Sequence, residues 1–276
     1  LAVHGRLGED GCVQGLCEVL GIPYTGSSVL ASALAMDKVK AKELFRQHNV
    51  PTPPYYTFSL EQDLADIEGI HGSFGFPVVV KPRGEGSSLG VRVARDVPAL
   101  VDAISAALEF DDVVLVERYV QAREVNVGVI EGRVLGAIEI SPKHGIYDYE
   151  CKYKPGMTDY FMPARLAPTR HLNVLNLAER AVRALGCAGA CRVDLLVTDD
   201  ENEYVLEVNT LPGMTKTSLL PKIAAAAGYE FPDLCEAILG CARLHCSPRR
   251  RHQPLASRHD SSLDFVVLTP VLAKAV

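Results

Sequence analysis

No apolar run among the 276 residues reaches the length that spans a bilayer, and the start lacks a charged stretch followed by an apolar core. A membrane span and a secretory leader are therefore not expected, and the cytoplasm is the expected compartment. Excess positive charge is also missing, with a formal net charge of −6 and a sequence pI near 5.8. General nucleic-acid binding needs a basic footprint that neutralises phosphates, so no nucleic-acid partner is expected and any anion site must be local. The eight cysteines, Cys12 to Cys246, form no CxxC pair and sit beside no histidine cluster. They read as free thiols in a reducing compartment rather than a zinc or disulfide framework. No glycine loop closes with Gly-Lys-Ser/Thr before a helix, which excludes a P-loop. Disorder is excluded as well, because 48% hydrophobic residues can bury a sizeable core.

What is present centres on residues 192 to 215. Two apolar runs, 193 to 197 and 204 to 208, flank the turn-forming cluster Asp199 to Asn202, which predicts an antiparallel hairpin. Closed symmetrically about positions 200 and 201, it places Asp194 opposite Glu207 and Arg192 opposite Asn209, on one face. Facing carboxylates repel, so such a pair holds a cation between them or lies on a solvated face. Oxygen-only ligands of this kind suit magnesium.

Earlier in the chain, Leu1 to Val3 reads as a short strand feeding the glycine-rich loop His4 to Gly11 and a helix over 12 to 20. Since one strand cannot stand alone, preceding βα units are expected to be missing from this chain. Residues 27 to 49 read as helical with Asp37 capping a second segment, and Val50 to Pro54 as a stiff linker. Lys38, Lys40 and Lys42 follow that cap, and on pattern alone such lysines belong to a solvated helix surface. Phe76 to Pro82 is a buried strand ending in Lys81, followed by the loop Arg83 to Gly90. Its glycines and serines suit either a phosphate-covering loop or a hairpin tip. A helix over 97 to 109, a strand over 113 to 120, and a hairpin of 124 to 130 with 134 to 140 come next. The polar stretch His144 to Ala164 reads as a lid, and a helix over 171 to 185 leads into the central hairpin. Helices near 216 to 227 and 231 to 243 complete the ordered part. The segment 246 to 276 holds five basic and two acidic residues, +3 against −9 for the rest, and is expected to be a disordered tail.

Taken together, His4-Gly-Arg-x-Gly-Glu-Asp-Gly, Met36-Asp-Lys38, Val80-Lys81-Pro with Glu85-Gly-Ser-Ser-x-Gly90, Tyr147-Asp-Tyr-Glu-x-Lys-Tyr153, Arg192-x-Asp194 and Glu207-x-Asn209-Thr-x-Pro-Gly-Met-Thr resemble the D-alanine-D-alanine ligases, ATP-grasp enzymes of peptidoglycan synthesis. The resemblance covers residues 1 to 245. It implies an α/β (α+β) ATP-grasp fold with two subdomains sandwiching ATP. The implied divisions are 1–26, a remnant of an N-terminal Rossmann-like substrate domain; 27–116, the central subdomain; 117–245, the C-terminal subdomain with metal and substrate; and 246–276, the tail. ATP contacts are implied for Lys38, Lys81, Glu85, Ser88, Glu117, Arg118, Val120 and Glu124. Arg118 replaces a common lysine, at a contact made largely by backbone. Two magnesium or manganese ions fall to Asp194, Glu207 and Asn209. Arg192 and the Gly213 amide would stabilise an oxyanion, Lys152 and Ser218 would hold the second substrate's carboxylate, Ser87 and Tyr153 would link loop to lid, and His4 would lie near the first D-alanine.

The implied reaction joins two D-alanines through an acyl phosphate, in a homodimer when the N-terminal domain is complete. Tyr153 favours D-alanine as the second substrate, which leaves D-alanine-D-lactate and D-alanine-D-serine ligases as alternatives in the same class. Relatives carry a glutamate for the first D-alanine's ammonium ahead of the point where this chain starts. The alternative of another class is therefore a catalytically impaired fragment that at most binds nucleotide.

Overall fold

A computed structural model describes residues 1–142, 158–200 and 202–246. Its helices begin where capping residues place them. Helix α1 runs Cys12–Leu20, α2 Val29–Met36 and α3 Lys38–Gln47. Asp37 ends α2 and caps α3, its carboxylate accepting the amides of Val39 at 3.1 Å and Lys40 at 3.0 Å. The proline-rich residues that follow cannot continue a helix, and the chain enters its first strand.

That strand, β1 Tyr55–Ser59, joins β2 Val78–Pro82, β3 Arg92–Ala94 and β4 Val113–Arg118 in an antiparallel sheet ordered β1-β4-β2-β3. Helices α4 Ile67–His71 and α5 Val97–Leu108 accompany it. Phe58, Val80, Leu100, Ile104 and Val116 form its buried core. A second sheet, ordered β7-β6-β5-β8-β9, is built from β5 Arg123–Ile130, β6 Arg133–Pro142, β7 Thr158–Phe161, β8 Ala190–Val197 and β9 Glu203–Asn209. Helix α6 Pro168–Ala184 covers one face, where Val174, Ala178 and Ala181 meet Val127, Val193 and Leu195. Ala41 and Phe45 of α3 join the same core.

The opposite face is only partly covered. Helices α7 Leu219–Ala226 and α8 Phe231–Leu239 bury Leu220, Ala224 and Leu234 against Ile130 and Ala190, while Ile223 packs on Ile138 and Ile140. Beyond them, this face carries Glu124 and Asn126 of β5, Arg192 and Asp194 of β8, and Glu207 and Asn209 of β9. Alternation from the buried valines requires that arrangement. An apolar helix cannot pack on such a row without stranding charge, so the row is left for a polar ligand.

Three local expectations change. Leu1 to Val3 forms no strand, because no ladder partner lies beside it; the first amino group donates to Thr25 Oγ1 at 2.7 Å instead. Part of the expected lid, Thr158–Phe161, is the edge strand β7, too short to show a period but paired to β6 from Glu139↔Phe161 to Pro142↔Thr158. Helix α6 starts at residue 168 rather than 171, with Pro168 supplying its first turn. Among the described residues no helix is long and apolar enough to cross a membrane.

Candidate active site

The acidic pair of the hairpin stands as the sequence places it. Asp194 pairs with Glu207 and Arg192 with Asn209, yet the ladder shifts register between Asp194 and Leu195. From the turn outward, Val197 pairs with Glu203 and Leu195 with Val205, leaving Leu206 as an extra residue on β9. A regular ladder from that turn would set Leu206 opposite Asp194 and drive Glu207 toward the core beside Val193. The bulge restores Glu207 to the polar face, with Val205 and Val208 both buried on the other side. Arg192 grips Asp194 with two bonds, Nε to Oδ1 at 2.7 Å and Nη2 to Oδ2 at 2.9 Å. Burial works against the Arg192 charge, but Asp194, then Glu207 and Glu124, raise its pKa further above the ordinary value.

The glycine-serine loop is anchored at its start by two carboxylates. Arg83 Nε donates to Asp37 Oδ2 at 2.8 Å, and Gly84 N donates to Asp111 Oδ2 at 2.8 Å. Asp37 thus caps α3 and fixes the loop's start with one carboxylate, which brings Lys38 under the loop. Lys38 Nζ donates to the carbonyl of Glu85. Burial, helped by Lys81, lowers the Lys38 pKa, against the pull of Glu207. Arg6 of the first glycine loop reaches across to Glu85 Oε1 at 2.6 Å and to the Phe110 carbonyl at 2.8 Å. Ser87 and Ser88, at φ 51° and 60°, occupy the left-handed region, which non-glycine residues keep only where their surroundings fix them.

Below the loop, Glu117 is buried at 2% exposure between two lysines. Lys81 Nζ donates to Oε2 at 2.5 Å and Lys42 Nζ pairs with Oε1. One carboxylate cannot offset two desolvated ammoniums equally. Burial would lower Lys81, yet Glu117 holds it above its ordinary value; for Lys42 burial wins, helped by Lys81, and its pKa falls to about 8. Burial opposes the Glu117 charge, and Lys81 and Lys42 together keep its pKa below the ordinary carboxylate value.

Two adjoining cavities are lined by Lys38, Lys81, Glu117 and most of the polar row of the second sheet. The larger, about 370 Å³, is lined by Lys81, Glu117, Arg118, Val120, Glu124, Ser88 and Asp194 along with apolar Val79, Leu89, Leu196 and Leu206. The smaller, about 310 Å³, is lined by His4, Glu9, Arg192, Asn209, Gly213 and Ser218. Lys38, Glu85, Ser87 and Glu207 line both, so the cavities meet there. Every anticipated site residue within the described part of the chain lines one or both; Lys152 and Tyr153 lie outside it. At the far end of the smaller cavity, Ser218 Oγ accepts the Thr215 amide at 3.0 Å. A Cβ at Gly213 would come within 2.7 Å of that Oγ, so glycine permits the approach.

The donor set fits a hard divalent cation that completes its shell from a ligand. Among the described residues no group of three or more His, Cys, Asp or Glu side chains converges. Asp194, Glu207 and the amide oxygen of Asn209 offer oxygens only, which matches magnesium held by one or two carboxylates plus phosphate oxygens. Asn209 Oδ1 accepts the Leu211 amide at 3.1 Å, and a carbonyl oxygen keeps a second lone pair.

Sequence reasoning missed two residues here. Glu9 lies inside a quoted motif but received no role; it lines the smaller cavity, and burial raises its pKa against the Gly5 amide and His4. Lys42 reads in the sequence as one of three solvated lysines, yet it is buried. Its spacing of four from Lys38 was the available signal, since residues four apart share a helix face. Lys40, between them, is exposed and pairs with Glu43 at 2.8 Å.

Residues 44–240 match the family model described as D-ala D-ala ligase C-terminus. A D-alanine-D-alanine ligase of an Anaeromyxobacter species is 52% identical over 88% of this chain and 79% of that protein. The crystal structure of a Bacillus anthracis D-alanine-D-alanine ligase complexed with ATP is similar at a TM-score of 0.75 and 34% identity, over 87% of this chain and 76% of the other. The VanG D-Ala:D-Ser ligase of Enterococcus faecalis is similar at 0.79 and 33% identity, over 87% and 71%.

Proposed function

This chain belongs to the D-alanine-D-alanine ligase family, and from that premise we infer that it joins two D-alanines into D-alanyl-D-alanine with ATP, for peptidoglycan precursors. The observation that carries the reading is the junction of the two cavities at Lys38, Ser87 and Glu207, between a cleft of nucleotide character and a pocket for a small zwitterion. In the reaction, a carboxylate oxygen of the first D-alanine takes the γ-phosphoryl group, ADP leaves, and the second D-alanine's amine displaces phosphate from the acyl phosphate.

Each residue's role is part of the proposal. Glu117 and the backbone at Arg118 and Val120 meet the adenine, Glu124 meets the ribose, and Lys38, Lys81, Glu85 and Ser88 surround the phosphates. Two magnesium or manganese ions held by Asp194, Glu207 and Asn209 would supply charge neutralisation for the transferred group. Arg192 and the Gly213 amide donate toward the oxyanion formed on attack. His4 lies by the first D-alanine, and Ser218 with Lys152 holds the second substrate's carboxylate. Ser87 and Tyr153 tie the covering loop to the lid, closing the site to water. On this reading residues 27–116 and 117–245 are the two halves that hold the nucleotide, 1–26 belong to the substrate domain, and 246–276 are a tail. The cytoplasm, where ATP is supplied, and a homodimer when the N-terminal domain is complete round out the proposal.

The test offers the protein ATP, magnesium and D-alanine, alone or with D-serine or D-lactate, and identifies products by mass spectrometry. D-alanyl-D-alanine with one phosphate released per dipeptide is expected. A mixed D-alanyl-D-serine or D-lactate product in preference to it, or no ATP-dependent product, overturns the reading.

A further inference from the structure

Lys42 lies behind the nucleotide cleft and lines neither cavity. Its ammonium lies against three oxygens, two of them hydrogen-bond acceptors and the third an ion-pair partner. These are Glu117 Oε1, Thr52 Oγ1 at 2.5 Å and the Pro53 carbonyl at 3.3 Å. The side chain is 2% exposed and bridges α3, the linker before β1, and β4. A buried lysine held by two hydrogen bonds and an ion pair is an ammonium with little freedom to turn. Its partner Glu117 divides its oxygens, with Oε1 turned back to Lys42 and Oε2 turned toward Lys81, which lines the cleft.

We propose that Lys42 is a positioning residue for nucleotide selection, keeping Glu117 ionised and aimed so that Oε2 accepts from a purine 6-amino group. The proposal rests on the reading of the larger cavity as an ATP site. When a polyphosphate draws Lys81 away, Glu117 would be left as a buried carboxylate with no counter-ion but for Lys42. With Lys42 in place the carboxylate keeps its charge, and Oε2 becomes a fixed acceptor toward the cleft. A 6-amino purine matches it with a donor. A 6-oxo purine sets a carbonyl oxygen against it, and two facing acceptors with no proton between them repel. Without Lys42, the carboxylate either takes up a proton and can donate to a 6-oxo group, or stays turned to Lys81. Either outcome leaves at best a weaker acceptor for the 6-amino group.

The experiment compares kcat/KM for ATP and for ITP, which differ at that one substituent, in the wild type, Lys42→Met and Lys42→Gln. Wild type is expected to favour ATP at least about 100-fold, since a site that hydrogen-bonds a substrate N–H discriminates against the analogue lacking it by more than an apolar pocket can. In the variants that ratio is expected to fall at least about tenfold, mainly through a higher KM for ATP. Lys42→Gln keeps donors for Thr52 and Pro53 without the charge, so it reports even where Lys42→Met fails to fold. A general structural role would weaken ATP and ITP alike, so an unchanged ratio in a folded variant overturns the proposal. So does failure of both variants to fold, or a wild type that uses ITP as well as ATP. A wild type that neither binds nor turns over ATP overturns the reading of the cleft itself, and is told apart by the wild-type arm alone.

Discussion

Replacing Lys42 by methionine isolates what it costs the fold to bury that charge. The drop in its pKa from the ordinary 10.5 to about 8, with burial as the first cause, corresponds to about 3 kcal/mol at about 1.4 kcal/mol per tenfold. The sign follows from proton counting. Between about pH 8 and 10.5 the unfolded chain keeps a proton on Lys42 that the folded chain has released, so stability rises with pH across that window. Below about pH 8 both forms hold the proton, and the full cost is present. Methionine fills a similar volume and does not titrate. At neutral pH, Glu117 in the variant still has Lys81, so the usual penalty for stranding a buried charge, about 3–5 kcal/mol, is largely avoided. The assay is urea unfolding of wild type and Lys42→Met at intervals from pH 7 to 10.5. The difference removes titrations common to both, and wild type should gain on the variant by about 3 kcal/mol over the window. A difference that stays flat within about 0.5 kcal/mol would show that the buried ammonium is not strained, and would refute the reasoning.

Other perturbations test the site and its frame. Asp194→Asn should cut ligation at least about 100-fold by weakening the cation platform, while loosening the grip on Arg192 should tighten D-alanine binding in the absence of nucleotide, measured by calorimetry. Gly189→Ala puts a Cβ 2.8 Å from Gly26 Cα and 2.9 Å from its nitrogen, at a φ of +69°. The left-handed conformation and the backbone clash together should cost about 2–4 kcal/mol in urea unfolding. Gly213→Ala should push on Ser218 Oγ and lower kcat/KM for the acceptor D-alanine by about tenfold, leaving KM for ATP near wild type in steady-state assays.

Much of this was legible in the sequence because it rests on local rules. The pairing of Asp194 with Glu207 follows from alternation and a symmetric turn, and Asp37 announces itself as a cap between two helical runs. The bulge at Leu206 did not show. The assumed turn centre and the missing extra residue offset each other, so the right pairs came out of a ladder that is wrong nearer the turn. Strands β1, β3 and β7 went unseen for another reason. At five, three and four residues they are too short for a period to register, and each is fixed by its neighbour, as Tyr55 is by Glu117. Lys42 was hidden because a lysine's sequence context does not say whether its helix face meets water or a carboxylate 75 residues later.

Which charge meets which is the part of a site that sequence conceals most. The principal cations in and behind the cleft are committed within the protein. Arg192 is on Asp194, Lys81 and Lys42 are on Glu117, and Lys38 is on the Glu85 carbonyl. Each charge is thereby partnered where water is scarce. Those pairs also oppose binding, because a polyphosphate must draw Lys38 and Lys81 from their present acceptors before it gains from them. Each displacement frees an acceptor, and an acceptor left buried without a donor is costly. Affinity is therefore highest for a ligand that supplies both the anion for the lysines and a donor for Glu117. The charge layout favours a nucleotide with an amino-bearing base over a bare triphosphate, and Lys42, the cation that never leaves, makes that second demand persist.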